Sequence, residues 1–240
     1  MVMQKSNPEE KRTLSTKVLL REAPWCIGVV VGLIGMWWRG YAFVPLPFLS
    51  SYDWMEYIPS AWMVANGMDV GGYATWRNPL YPAILGHMGE WVGYNEATWM
   101  LSSLFMSAVV FASGLGARAL STPAAGMVAA ITIPHINPWA EASRWSTLYP
   151  MLTACTAAAL AFGACFIRWG HPIYGAIAGL AAGLALGIDF RGIALVVAVA
   201  VMAAFALARR RQKASAALVI ACLLVGPLLN RSVAVSHQKQ

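Results

Sequence analysis

Long apolar runs alternate with short polar breaks along the chain, and seven of the runs read as helices. They lie near Pro24–Val44, Ala97–Ala117, Ala124–Trp139, Thr147–Ile167, Ile173–Ile188, Gly192–Ala208 and Ala214–Asn230. Runs of this kind, recurring at lengths that suit ~30 Å of hydrocarbon, predict a polytopic helical membrane protein. The third and fifth are short, and the third contains Pro134 and closes at Pro138, which predicts a tilted, kinked or incompletely inserted segment. The first run ends in Trp37-Trp38-Arg39 without a small-x-small site, so it is not a cleaved signal peptide.

Six of the runs follow one another closely, but about fifty residues separate the first from the second. A connection this long usually has structure and function of its own. Ser50 or Ser51 is placed to cap a short helix with Asp53 in its first turn, where the helix dipole favours an anion. Pro59 kinks or divides that helix, and Asn66-Gly67 stops it. Asn78-Pro79 opens a second helix, Pro79–Val92, with Leu80, Ile84, Met88 and Trp91 on one face, as expected of a helix lying on a membrane surface. The expected fold is all-α: about seven transmembrane helices and a long, structured first outer loop, Leu46–Glu96, carrying interfacial helices.

Composition strengthens this picture. Of 240 residues, 59% are hydrophobic and 11% charged, with a mean hydropathy of +0.59; a soluble domain has about 25% charged residues. The charges are also unevenly placed. With the N-terminus cytoplasmic, the inner side holds eleven of the 17 basic residues and three acids, a net of +8. The outer side holds six basic residues and seven acids, a net of −1. Lys and Arg resist translocation, so this orientation is expected, with the C-terminus outside. The basic balance then reflects topology, and nucleic acid is not an expected partner.

Several features have a structural reading. Cys26, Cys155, Cys165 and Cys222 all fall within apolar runs and read as small fillers. Trp25, Trp37, Trp38, Trp99, Trp139, Trp145 and Trp169 sit at run ends, as an interfacial belt does. Trp54, Trp62, Trp76 and Trp91 lie in the long loop, where anchoring is the first expectation and sugar stacking the second. Gly175, Gly179, Gly183 and Gly187 recur every fourth residue, a stripe that lets a neighbouring helix pack closely.

The candidate chemistry is in the loops. Asp53 and Glu56 share a helix face among aromatic residues; partial desolvation of a carboxylate raises its pKa toward the range of a general base. The alternative is a solvated polar face that orients the loop at the headgroups. His87 and Glu90 could join the acids around a divalent ion, but nothing in the spacing demands one, and no metal or other cofactor is expected. Arg77, Arg144 and Arg191 come from three different outer loops. Guanidinium groups grip phosphate in bidentate fashion, so three converging would form an anionic-headgroup site. The alternative is local pairing, Arg144 with Glu141 and Arg191 with Asp189.

A first span, an outer loop opening on an acidic motif, then "YIPSAWMVANG" and "NPLYPAIL", resembles the membrane-embedded GT-C glycosyltransferases. The likeness is greatest to protein O-mannosyltransferases and aminoarabinose-type lipid-sugar transferases. "SRWSTLYPMLTACTAAALA" and "AIAGLAAGLALGIDFRG" are similar to that family's fourth and Gly-rich fifth spans. The resemblance covers about residues 20–230, although Glu56 is three residues from Asp53 where the family's acids are often adjacent. It implies an enzyme that takes sugar from a polyprenyl-phosphate donor and transfers it, with inversion, to a hydroxyl of a protein or glycolipid. Asp53, assisted by Glu56, would be the catalytic acid pair, and Arg77, Arg144 and Arg191 would bind the donor phosphate. Tyr57, Trp76 and His87 would be sugar or acceptor contacts.

The implied layout is a basic cytoplasmic tail over 1–17, a seven-span module over 18–230 with outer loop 46–96, and a short outer tail over 231–240. Family members usually continue past the seventh span, so a partner subunit or a further C-terminal region is expected. The competing reading is a non-catalytic membrane protein that binds a lipid carrier or a partner subunit.

Overall fold

Helix is the only regular element the described residues form. The structure, a computed structural model, describes residues 8–42, 52–68, 79–136, 148–210, 219–229 and 231; within these, the side chains of 8–16, 39–42, 52–56, 206, 207, 209 and 210 lie outside the description. In chain order the helices are α1 (Pro8–Ala42), α2 (Tyr52–Ala65), α3 (Leu80–Val92), α4 (Tyr94–Leu120) and α5 (Pro123–Thr132). After α5 comes a 3-10 turn, Ile133–His135, then α6 (Tyr149–Trp169) and α7 (Pro172–Ile188). A second 3-10 turn, Phe190–Gly192, leads into α8 (Ile193–Arg210). The last described helix is α9 (Val219–Leu229).

Three segments are long and apolar enough to cross a membrane: Lys17–Trp38 of α1, Tyr94–Leu120 and Tyr149–Trp169. Helices α7, α8 and α9 are apolar but shorter. The chain is therefore read as a membrane protein. Polar side chains inside these helices behave accordingly. Thr98 donates to the Tyr94 carbonyl (2.6 Å), Ser107 to that of Ser103 (2.7 Å) and Thr156 to that of Leu152 (2.9 Å). Such back-bonds satisfy hydroxyls where water is absent.

The turns follow local chemistry. Gly67 has φ +66° and Asn66 Nδ2 donates to the Trp62 carbonyl, which ends α2 at the expected Asn-Gly. Gly170, at φ +69°, ends α6; His171 then accepts from the Ile173 N–H and Pro172 opens α7. Thr122 caps α5 by accepting from the Ala125 N–H, with Pro123 in the first turn.

Three expectations are refined. The first helix begins at Pro8, so Pro24 lies inside it, while its membrane-length segment opens at Lys17. Pro59 does not divide α2, which is one continuous helix of 14 residues. The run from Ala124 is a 10-residue helix that tightens to a 3-10 turn at Pro134; at 1.5 Å per residue it is about 15 Å long, too short to cross hydrocarbon unaided.

Packing defines two ends of the bundle. At one end, Arg118 of α4 pairs with Glu22 of α1, and its guanidinium lies over the rings of Trp25 (5.4 Å) and Trp169 (4.8 Å). At the other, Tyr57, Ala61, Leu80, Tyr81, Leu85, Ala97, Leu101, Leu148, Met151 and Ile188 form one buried cluster. Both α4 and α6 start in that cluster and finish near Arg118, so they run in the same direction side by side. The glycine stripe of α7 meets α9. A Cβ on Gly179 would lie 2.7 Å from the Val219 carbonyl oxygen, and one on Gly187 would lie 2.8 Å from that of Gly226. The stripe is a helix-packing surface, as its spacing predicts.

Candidate functional site

Helix α2 brings its first turn, with Asp53 and Glu56, onto the Tyr57 end of the bundle. The backbone of both acids is helical; their side chains lie outside the description. Tyr57, Ala61 and Val64 recur at i, i+4 and i+7, so α2 turns one apolar stripe inward. That stripe packs on α3, where a Cβ at Gly86 would collide with the Ala61 carbonyl. The close approach requires glycine there.

The buried face of α3 is broader than its large apolar residues outline: Leu80 is buried and Ile84 and Met88 pack on the cluster, but they are not alone. Tyr81, Leu85 and Gly89 are buried with Leu80, Pro82, Ala83 and Gly86, while Trp91 is 90% exposed. Glycines admit α2 at Gly86 and the Tyr94 ring at Gly89, and a pattern built on large side chains does not register them. As a result α3 is wedged among α2, α4 and α7. Tyr81 sits at the centre of this wedge, 1% exposed, with its ring edge-on to that of Tyr57 at 5.3 Å and 90°.

Arg191 approaches from the α7–α8 junction. The Asp189 carboxylate caps the turn by accepting from the Arg191 N–H at 2.8 Å, and the Arg191 Nε lies 3.6 Å from the same oxygen. The local pairing with Asp189 is therefore real, but it does not absorb the guanidinium. A side-chain hydrogen bond with Tyr149, at the start of α6, contributes most to raising the Arg191 pKa above its usual value. Asp189 and the more distant Tyr57 phenol add to the rise. Tyr57 of α2, Leu148 before α6 and Ile188 at the end of α7 share one buried cluster, which places this exposed cation at the same end of the bundle.

The other expected residues are distributed differently. His87 and Glu90 are exposed on α3. Among the described residues, no three His, Cys, Asp or Glu side chains are grouped to hold a metal ion. Arg77, Trp76, Arg144 and Glu141 lie outside the described residues.

Tyr81 and Tyr149 are functional candidates that the sequence reading did not single out, although a signal for them exists. Leu80-Tyr81-Pro82 and Leu148-Tyr149-Pro150 repeat one tripeptide at two helix starts. In both copies Leu and Pro are buried, and both leucines belong to the one buried cluster, Tyr81 within it and Tyr149 exposed beside it.

Away from this end, α4, α6 and the Ile133 turn line a groove of 460 Å³. Val109, Ala112, Gly116, Ala157, Leu160 and Ala161 make its wall almost wholly apolar. No protein-family model, curated protein or solved structure matches this chain. The functional reading therefore rests on the chemistry of the site.

Proposed function

We propose that the chain is an integral-membrane glycosyltransferase, or the membrane module of one, of the GT-C type. It takes sugar from a polyprenyl-phosphate donor and transfers it with inversion to a hydroxyl acceptor on the extracytoplasmic face of the plasma membrane. In this reading the chain crosses seven times, with the N-terminus cytoplasmic, and the Tyr57 end of the bundle is outside. The division of charge, +8 against −1, favours that orientation.

One observation carries the reading: the acid-bearing helix α2 and the end of α7 that leads into Arg191 share one buried cluster, through Tyr57 and Ile188, at one end of an apolar bundle. Transfer needs a base for the acceptor and a cation for the leaving group, both at the headgroup level. Asp53 takes the proton of the acceptor hydroxyl as its oxygen attacks the anomeric carbon. The bond from that carbon to the phosphate oxygen breaks on the opposite face, and the electron pair leaves with polyprenyl phosphate. The departing phosphate gains negative charge, which Arg191, joined by Arg77 and Arg144, stabilises. Glu56 orients the site or tunes the charge of Asp53. Tyr57, Trp76 and His87 line the sugar and acceptor side. The α4–α6 groove, apolar and open, suits a lipid tail.

The test is transfer of labelled sugar from polyprenyl-phosphate donors to hydroxyl acceptors in membranes containing the chain, with neighbouring gene products supplied. Transfer that needs this chain supports the reading. Binding of the lipid phosphate with no turnover under any pairing would assign a carrier-binding, non-catalytic role instead.

A further inference from the structure

Tyr81 has an anomalous position. Its hydroxyl is buried and makes no hydrogen bond among the described residues. Burial, with Tyr57 beside it, pushes its pKa well above the usual phenol value, so it remains a neutral donor at any physiological pH. A buried donor without a partner is costly, and Phe would fill the same space without that cost. The ring is fixed: Pro82 follows it in the first turn of α3, and Tyr57 meets it edge to face. Tyr57 and Tyr81 also share a buried cluster with Leu148 and Ile188, the residues that precede Tyr149 and the Asp189–Arg191 turn. The Tyr57–Tyr81 pair, Tyr149 and Arg191 therefore lie at one end of the bundle, the end that holds the first turns of α2. Helix α2 packs principally on α3.

We propose that the Tyr81 hydroxyl is a ligand-binding donor, left open in the protein and completed by a phosphate oxygen of the lipid-linked donor, with Tyr149 and Arg191 binding the same headgroup. This rests on the glycosyltransferase reading for the identity of the phosphate. A neutral phenol suits the role: it adds a directional hydrogen bond without adding charge to a site that already has a cation. Donor entry would then order α2 against α3, because the headgroup joins Tyr81 of one helix to the cluster reached by the other.

The experiment measures binding of a long-chain polyprenyl phosphate to the purified full chain in detergent, with the matching polyprenol and inorganic phosphate as separate probes. The native chain is expected to bind the lipid phosphate, the polyprenol far more weakly, and free phosphate measurably. Tyr81→Phe is expected to bind the lipid phosphate roughly 10- to 100-fold more weakly, since a hydrogen bond to a charged group is lost. Its thermal midpoint should be equal to or above that of the native chain, the outcome a merely structural hydroxyl would not give alongside lost binding. A second readout leaves the fold untouched: 3-fluorotyrosine at position 81 should shift its ¹⁹F resonance on addition of lipid phosphate and not of polyprenol. Unchanged affinity in Tyr81→Phe, or an unmoved resonance while the lipid phosphate binds, overturns the role of Tyr81 and leaves the enzyme reading standing. Failure of the native chain to bind any polyprenyl phosphate overturns both.

Discussion

At the scale of single residues, the proposed transfer reaction divides the site into groups that would act on the reaction and groups that would hold the donor, and mutation separates them. Asp53→Asn is nearly isosteric, so insertion and fold should persist while sugar transfer falls by about 10²–10⁴, the usual contribution of a positioned base. Full transfer by that variant would remove Asp53 from the mechanism. Glu56→Gln should cost less, since that carboxylate acts through its neighbour. Arg191→Ala should raise the donor KM more than it lowers kcat, because the guanidinium grips phosphate in the ground state as well; a fall confined to kcat would contradict that role. Asp53, Glu56 and Arg191 stand out as candidates in the sequence because charge is scarce in this chain. Tyr81 does not, since whether a hydroxyl is paired depends on neighbours from three other helices. Only the repeated Leu-Tyr-Pro marks it.

At the scale of elements, spacing predicted what backbone chemistry controls. Helix α2 stops at Asn66-Gly67, α3 opens after Pro79, and the α7 glycines seat α9. The buried face of α3 takes in Leu80, Ile84 and Met88 as expected but extends past them, because Gly86 and Gly89 make room for α2 and Tyr94. The glycine stripe allows a direct check. A Cβ at Gly183 would run into the Leu223 backbone, which cannot swing aside as a side chain can. Gly183→Ala should lower stability by about 1–3 kcal/mol, the usual cost of overpacking, read as a lower thermal midpoint in detergent. Ile173→Ala, at an exposed position of the same helix, should change it little. Equal midpoints for the two variants would show that the α7–α9 contact does not hold the bundle together. The Arg118 end has a different fastening. Glu22→Gln leaves the guanidinium between two Trp rings without its carboxylate. Both partners are partly exposed, so the loss should be modest, about 1–2 kcal/mol.

At the scale of the whole molecule, the membrane class followed from composition alone, whereas the number of crossings does not follow from apolar runs one by one. Three helices are long enough to cross unaided; α5, α7, α8 and α9 are shorter and depend on their neighbours for any passage through the bilayer. That dependence fits their packing: α7 lies against α6, α8 and α9, and α5 against α1 and α4. Orientation decides the proposed function, because that reaction requires a lipid-linked sugar donor and its acceptor to meet at the acid-bearing end. Asn95 and Ser121 are exposed and sit at opposite ends of α4. In a chain whose four native cysteines are changed to Ala, Asn95→Cys should react with an impermeant maleimide in intact cells, and Ser121→Cys only after permeabilisation. Reaction of Ser121→Cys alone in intact cells would invert the molecule. Asp53 and Arg191 would then face the cytoplasm, where the chemistry around them would call for a different donor.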